Sequence, residues 1–210
     1  LPDIAVSPSH ILITYIYEES GVLTTIKLVQ YYKNSYTDGA ATQTVENGII
    51  IDQNAQPRLA ASPDGTAIGV VFQGCDDGSC TNYDIYFQGF DEYLSKAHLD
   101  NELINPFSAG NQVGPNIGFS GEHFMVIYEE IMAGQPAMIH NIHARSISLD
   151  ANIISPQLTL AEVTAEQPDI AGTSDSVVSL TDPYFETFYV TYLNQPDLST
   201  EEIIIKKVYC

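Results

Sequence analysis

Apolar and polar residues alternate along this chain with a period of two, in short runs set between turn formers. No stretch sustains the 3.6-residue period of an amphipathic helix. Ile11 to Tyr17, Thr66 to Gln73 and His123 to Glu129 are β-branched, aliphatic and aromatic runs of strand length, which predicts buried strands. Each is followed, after a turn, by a second run: Thr24 to Tyr32, Tyr83 to Phe90 and Ala137 to Leu149. Weaker runs come next, at Thr42 to Ile51, Asn101 to Phe107 and Ser155 to Val163. The pattern returns in Thr187 to Leu193 and Glu201 to Tyr209, after an extra stretch around Thr181-Asp182-Pro183. Val113-Gly114-Pro115 and Ser155-Pro156 break any longer element, so no major helix is predicted.

Ahead of each set of runs stands one short motif, in four copies. These are Pro2-Asp3-Ile4-Ala5-Val6-Ser7, Pro57-Arg58-Leu59-Ala60-Ala61-Ser62, Pro115-Asn116-Ile117-Gly118-Phe119-Ser120 and Pro168-Asp169-Ile170-Ala171-Gly172-Thr173-Ser174. Start-to-start distances are 57−2 = 55, 115−57 = 58 and 168−115 = 53. A near-constant period of this size marks a propeller blade or a solenoid unit. Pro lacks an amide donor, which is harmless at a strand start. The following Ile or Leu is suited to pack between sheets, so Ile4, Leu59, Ile117 and Ile170 are expected to be buried there. Ala or Gly next to it lets backbones crowd at a central axis. The expectation is an all-β fold: a β-propeller of four blades of about 53–58 residues, numbered innermost strand first, with residues 1–210 as a single domain. Approximate blade limits are 1–55, 56–113, 114–166 and 167–210. The chain opens on an innermost strand and stops after a third strand, so an incomplete ring or a part of a larger propeller is expected.

Charge narrows the partners. With 27 Asp plus Glu against 7 Lys plus Arg, the formal net charge is −20. Such a surface repels phosphate backbones and anionic lipid, so no nucleic acid is expected as partner. No apolar run reaches the roughly 18 residues of a membrane helix, and no membrane insertion is expected. Divalent and other cationic partners are favoured. Cys75 and Cys80 bracket Asp76-Asp77-Gly78-Ser79, a loop suited to a small disulfide, and zinc would need more Cys or His nearby than the sequence offers. Together with the acidity, this points to a secreted, extracellular protein. Cys210 has no partner in this count.

The second repeat carries a resemblance. Ser62-Pro63-Asp64-Gly65-Thr66, then Ala67-Ile68-Gly69-Val70-Val71-Phe72 and Tyr83-Asp84-Ile85-Tyr86, resembles the SPDG…DIY repeat of TolB-type, WD40-like propellers. Tyr86-Phe87-Gln88-Gly89-Phe90-Asp91 is similar to a strand in the repeats of large bacterial secreted proteins. The resemblance implies the propeller fold and, for Ser62 to Gly65, the turn between the two inner strands. It implies little about function, because propellers host hydrolases, lectins and scaffolds alike. The sialidase Asp-box is a neighbouring pattern, but its Trp is missing, since the chain has no Trp at all.

Candidate chemistry follows from the repeat. The position after each motif Pro holds Asp3, Arg58, Asn116 and Asp169, which a propeller gathers at one end of its channel. Asp3, Asn116 and Asp169 offer oxygen ligands suited to calcium, with Arg58 a competitor for the carboxylates. The alternative is a polar ring that satisfies hydrogen bonds at the blade starts. His140 and His143 sit on opposite faces if their segment is a strand, which disfavours joint metal ligation. The pairs Glu18-Glu19 and Glu129-Glu130 read as solvated loop edges. No nucleophile elbow, Walker loop or dinucleotide fingerprint appears. The leading expectation is therefore an extracellular binding or assembly module without catalysis: an adhesin, a surface or filament subunit, or a recognition propeller. Its partner would be a protein or glycan at the cell surface, with self-assembly as a further option. The alternative is a secreted glycan-active hydrolase whose carboxylates come from different blades.

Overall fold

The computed structural model describes residues 2–19, 23–33, 40–75, 80–98, 100–106, 110–121, 123–132, 139–162, 165–172, 187–197 and 200–209. They form four antiparallel sheets, each numbered outward in chain order. The first holds β1 (Asp3–Val6), β2 (His10–Glu19), β3 (Leu23–Tyr32) and β4 (Ala41–Thr44). The second holds β5 (Arg58–Ala61), β6 (Ala67–Gly74), β7 (Asp84–Asp91) and β8 (Glu102–Leu103). The third holds β9 (Asn111–Ser120), β10 (His123–Met132), β11 (Ile139–Ser148) and β12 (Leu158–Ala161). The fourth holds β13 (Ala165–Gly172), β14 (Thr187–Asp197) and β15 (Thr200–Tyr209). The innermost strands touch in series, β1 on β5, β5 on β9 and β9 on β13, as blades of a propeller do.

The period-two pattern decides which blade each side chain meets. Ile68, Val70 and Phe72 of β6 join Leu12, Ile26 and Leu28 of the first sheet, while Ala67 and Val71 join Phe124, Val126 and Tyr128 of the third. Met125 and Ile127 of β10 turn the other way, onto Phe188 and Val190 of the fourth sheet. A strand buried on both faces must read as a nearly continuous apolar run, which is how β6 and β10 read.

Leu59 and Ile117 are buried between blades as expected, and Ile170 is partly buried against the third sheet. Ile4 departs from expectation: it is 61% exposed, with Val6 at 60%. Leu59, Ile117 and Ile170 each face back onto the preceding blade. Ile4 faces the side of blade 1 on which the described residues place no sheet.

The inner turns are built as the motif implies. Gly65 adopts φ +79°, a left-handed conformation that glycine tolerates. The Ser62 hydroxyl lies 2.5 Å from Asp64 Oδ1 and accepts the Ala67 N–H at 3.0 Å. Ser7 repeats this role in blade 1, its Oγ accepting the His10 N–H at 3.1 Å. The equivalent turn of the fourth copy, and Cys210, lie outside the described residues. Cys75 and Cys80 form the expected disulfide, with their Cα atoms 5.3 Å apart.

Candidate functional site at the channel mouth

Each innermost strand begins after a sharp corner. Gln56, Gly114 and Gln167, the residues before three of the motif prolines, all have left-handed φ, at 44°, 58° and 54°. The residue before Pro is sterically barred from the α region. Pre-proline sterics favour the extended region, so the left-handed corner costs of order 1–3 kcal/mol for each non-glycine residue. The ladder slips at the same points, between Ile127 and Glu129 and between Glu166 and Asp169.

The three corners and the residues that follow them line one cavity of about 600 Å³. Its wall carries Asp3 of blade 1, Arg58 of blade 2, Asn116 and Glu129 of blade 3 and Asp169 of blade 4. All four side chains singled out by the repeat are thus brought together. Equal register explains it: Asp3, Arg58, Asn116 and Asp169 pair with Thr14, Val71, Ile127 and Thr191, one level of the propeller.

Much of this ring is engaged in joining blades. Asp3 Oδ2 accepts the Leu59 N–H at 2.8 Å, linking blades 1 and 2. Asp169 Oδ1 accepts Asn116 Nδ2–H at 2.7 Å, linking blades 3 and 4, and its own strand's Ile170 N–H at 2.9 Å. Asn116 Oδ1 accepts the Ile117 N–H at 2.9 Å. One oxygen of each of the three expected calcium ligands is therefore already occupied. Among the described residues, no group of three or more His, Cys, Asp and Glu is placed to hold a metal ion. Arg58 does not pair with Asp3 or Asp169, the competition for these carboxylates that the sequence suggested; their bonded partners are these N–H donors.

Glu129 is the residue that sequence reasoning misplaced. It is buried, as is Glu130, each only 8% exposed. Glu18, two positions further along its strand relative to the blade register, is exposed as expected. Glu129 lines the cavity, and its Oε1 is in a very short contact with His140 Nδ1. The Nε2 of His140 lies 3.8 Å from Glu166 Oε1. On the other face of the same strand pair, His143 Nε2 lies 3.0 Å from Glu130 Oε2, and its Nδ1 is 2.9 Å from Gln157 Nε2. The two His do point apart, and each meets one member of the Glu pair. The missed signal is local: Glu129-Glu130 is followed by Ile131-Met132, so the charges lie inside a strand and not at its end. Of the other His residues, His10 is buried against Tyr32 and His98 Nε2 lies 2.7 Å from the Asp150 carbonyl oxygen.

No family model matches the chain, and no curated protein matches its sequence. Its fold is similar to that of an alpha-L-arabinanase from Penicillium chrysogenum complexed with arabinobiose, at 15% identity and TM-score 0.58, covering 100% of this chain and 64% of that one. An alpha-L-arabinofuranosidase from Fusarium graminearum, complexed with an iminosugar inhibitor, is similar at 13% identity and TM-score 0.58, over 96% of this chain and 63% of that one. An exo-1,5-alpha-L-arabinanase from a bovine ruminal metagenomic library is similar at 11% identity and TM-score 0.51, over 98% and 72%. The chain spans less than two thirds of the first and of the Fusarium protein. At these identities the likeness establishes the β-propeller fold, and it does not extend to TolB-type or WD40-like membership.

The finding also corrects the leading expectation of a binding or assembly module without catalysis, and the leaning against an enzyme. Solved propellers of this shape include glycan-acting hydrolases. Absence of a contiguous catalytic motif carried that expectation, and a site drawn from separate blades leaves no such motif to find.

Proposed function

We propose that this chain is, or is part of, a glycan-active hydrolase whose site is the channel-mouth cavity. The observation that carries the reading is that carboxylates from three different blades, Asp3, Glu129 and Asp169, line that one cavity. Glycoside hydrolysis needs two carboxyl groups flanking the scissile bond, one to protonate the leaving oxygen and one to act as base or nucleophile. Glu129 is suited to the proton-donating role. It is buried, faces the cavity, and has His140 behind it as a fixed partner through which a proton is exchanged. Asp3 and Asp169 are suited to the role of base or nucleophile, because hydrogen bonds from N–H donors hold their carboxyl groups in place at the cavity wall. Asn116 adds an amide beside Asp169 for a sugar hydroxyl. The names of the similar solved structures make arabinose-containing glycans the first substrates to try. The disulfide supports export, and we propose a secreted protein.

The test is hydrolysis of a panel of arabinans, arabino-oligosaccharides and other plant and bacterial glycans by the whole chain. Glu129→Gln, Asp3→Asn and Asp169→Asn should each lower turnover, Glu129→Gln by about 10²–10³-fold. Turnover that survives Glu129→Gln would move the chemistry elsewhere. No turnover by a folded protein on any glycan would sink the reading.

A further inference from the structure

We infer that Arg58 is an anion subsite in the channel-mouth cavity, and that the glycan taken there carries a carboxylate, as a uronate residue does. This rests on the glycan reading above and adds the substrate class to it.

The basis is how this chain uses its few cations. Lys27 donates to Thr44 Oγ1, Lys96 to the Val45 carbonyl, Arg145 to the Ile104 carbonyl and Lys206 to the Leu160 carbonyl. Each is tied to a protein oxygen that joins strands or blades. Arg58 and Lys33 are both half-buried with no acceptor for the side chain among the described residues, and of the two it is Arg58 that lines the cavity. That is unexpected in a protein of net charge −20. It is more so in a ring that also holds Asp3 and Asp169. Those carboxylates are held by the Leu59 and Ile170 amides and by Asn116, so they cannot swing to Arg58 without breaking links between blades.

A guanidinium in this position is a built recognition group. It is planar, permanently charged and less strongly hydrated than an ammonium, and its paired donors match the two oxygens of a carboxylate. Partial burial strengthens such a pair relative to one in open water. The overall negative charge does not forbid it. At physiological salt the Debye length is about 8 Å, so distant carboxylates are screened while a group in contact with Arg58 is not. A single negative charge also suits the site better than a phosphate dianion, which would meet Asp3 and Asp169 with twice the repulsion. The neighbouring amide of Asn116 and oxygens of Asp3 and Asp169 are then the partners for the hydroxyls of the same sugar.

Calorimetric titration of the whole chain tests this with matched tetramers of galacturonic or glucuronic acid, their carboxyl-reduced neutral counterparts, and a sulfated oligomer of equal length. The uronate form of at least one pair should bind about tenfold tighter than its reduced form. Arg58→Gln should bring the two within about twofold of each other, and Arg58→Lys should retain part of the preference. Thermal unfolding verifies that both variants fold. Equal affinities in the wild type, no binding of any oligomer, or a preference that survives Arg58→Gln would each overturn the inference. So would a preference for sulfate alone, which would assign the guanidinium to a sulfate ester. The readout is binding, so its outcome is separate from that of turnover. A uronate preference without hydrolysis sinks the hydrolase reading and keeps the subsite; hydrolysis without the preference does the reverse.

Discussion

The carboxylate of Glu129 reaches the amide nitrogen of Gln167 at 3.5 Å, so a group that faces the cavity also ties blade 3 to the left-handed corner of blade 4. Gln73 fills the same place one blade earlier, its Oε1 accepting the Gly114 N–H at 3.2 Å. An amide thus suffices for the structural task, and the charge at Glu129 is surplus to it. Glu129→Gln is therefore expected to keep stability within about 1 kcal/mol while losing activity. Glu129→Leu leaves the Gln167 N–H and His140 without their acceptor and should cost about 1–3 kcal/mol. Urea unfolding of the three proteins separates these. Equal destabilisation by Gln and Leu would make the charge structural and remove Glu129 from the proton-donating role.

A second expectation concerns close approach between inner strands. A Cβ placed on Gly172 would lie 1.7 Å from the Phe119 carbonyl oxygen, a backbone atom that cannot step aside. Gly172→Ala should force β13 away from β9 and cost about 3 kcal/mol, at the upper end of overpacking penalties. A midpoint of urea unfolding that stays within error of wild type would show that the two strands sit further apart.

How far this was legible can be traced residue by residue. The propeller was readable because the motif recurs at each blade start, and the level of Asp3, Arg58, Asn116 and Asp169 follows from that recurrence alone. Burial of Ile4 was inferred from Leu59 and Ile117, each of which packs on the blade before it, whereas the described residues place no sheet on that side of blade 1. Glu129 was hidden because a single strand does not reveal what its neighbour contributes. His140 meets it diagonally across β10 and β11, and Gln167 arrives from the next blade. Its partners lie 11 and 38 residues away, so no local motif could display them.

Asp64 supplies a pH test of the inner turn. Hydrogen bonds from the Ser62 hydroxyl and then the Thr66 amide hold its carboxyl below the ordinary aspartate range. A depressed folded value means stabilisation that is complete above the unfolded value, about 3.9, and is lost as pH falls through the folded one. The gap in melting temperature between wild type and Asp64→Asn should be constant above about pH 5 and shrink on acidification. The side chain is exposed, so the gap will be small. A gap independent of pH would show that the turn does not favour the carboxylate.

Calcium at Asp3, Asn116 and Asp169 is the remaining question that charge raises. Calcium takes about six to eight oxygen ligands and tolerates few competing donors among them. Here Asp3 Oδ2, Asn116 Oδ1 and Asp169 Oδ1 already accept N–H bonds, and the guanidinium of Arg58 lines the same cavity. A specific ion would have to compete with those donors or use the remaining carboxylate oxygens of Asp3 and Asp169, whereas general screening of a net charge of −20 requires no site at all. Any cation should therefore raise the melting temperature, and calcium should do so no more than magnesium at equal concentration. A ligand that binds only the folded state adds about 2.7 kcal/mol at a hundred times its dissociation constant, an effect a thermal scan resolves easily. A calcium shift well above that of magnesium, present in wild type and lost in Asp169→Asn, would place the ion in the ring and make the blade-linking hydrogen bonds secondary to it.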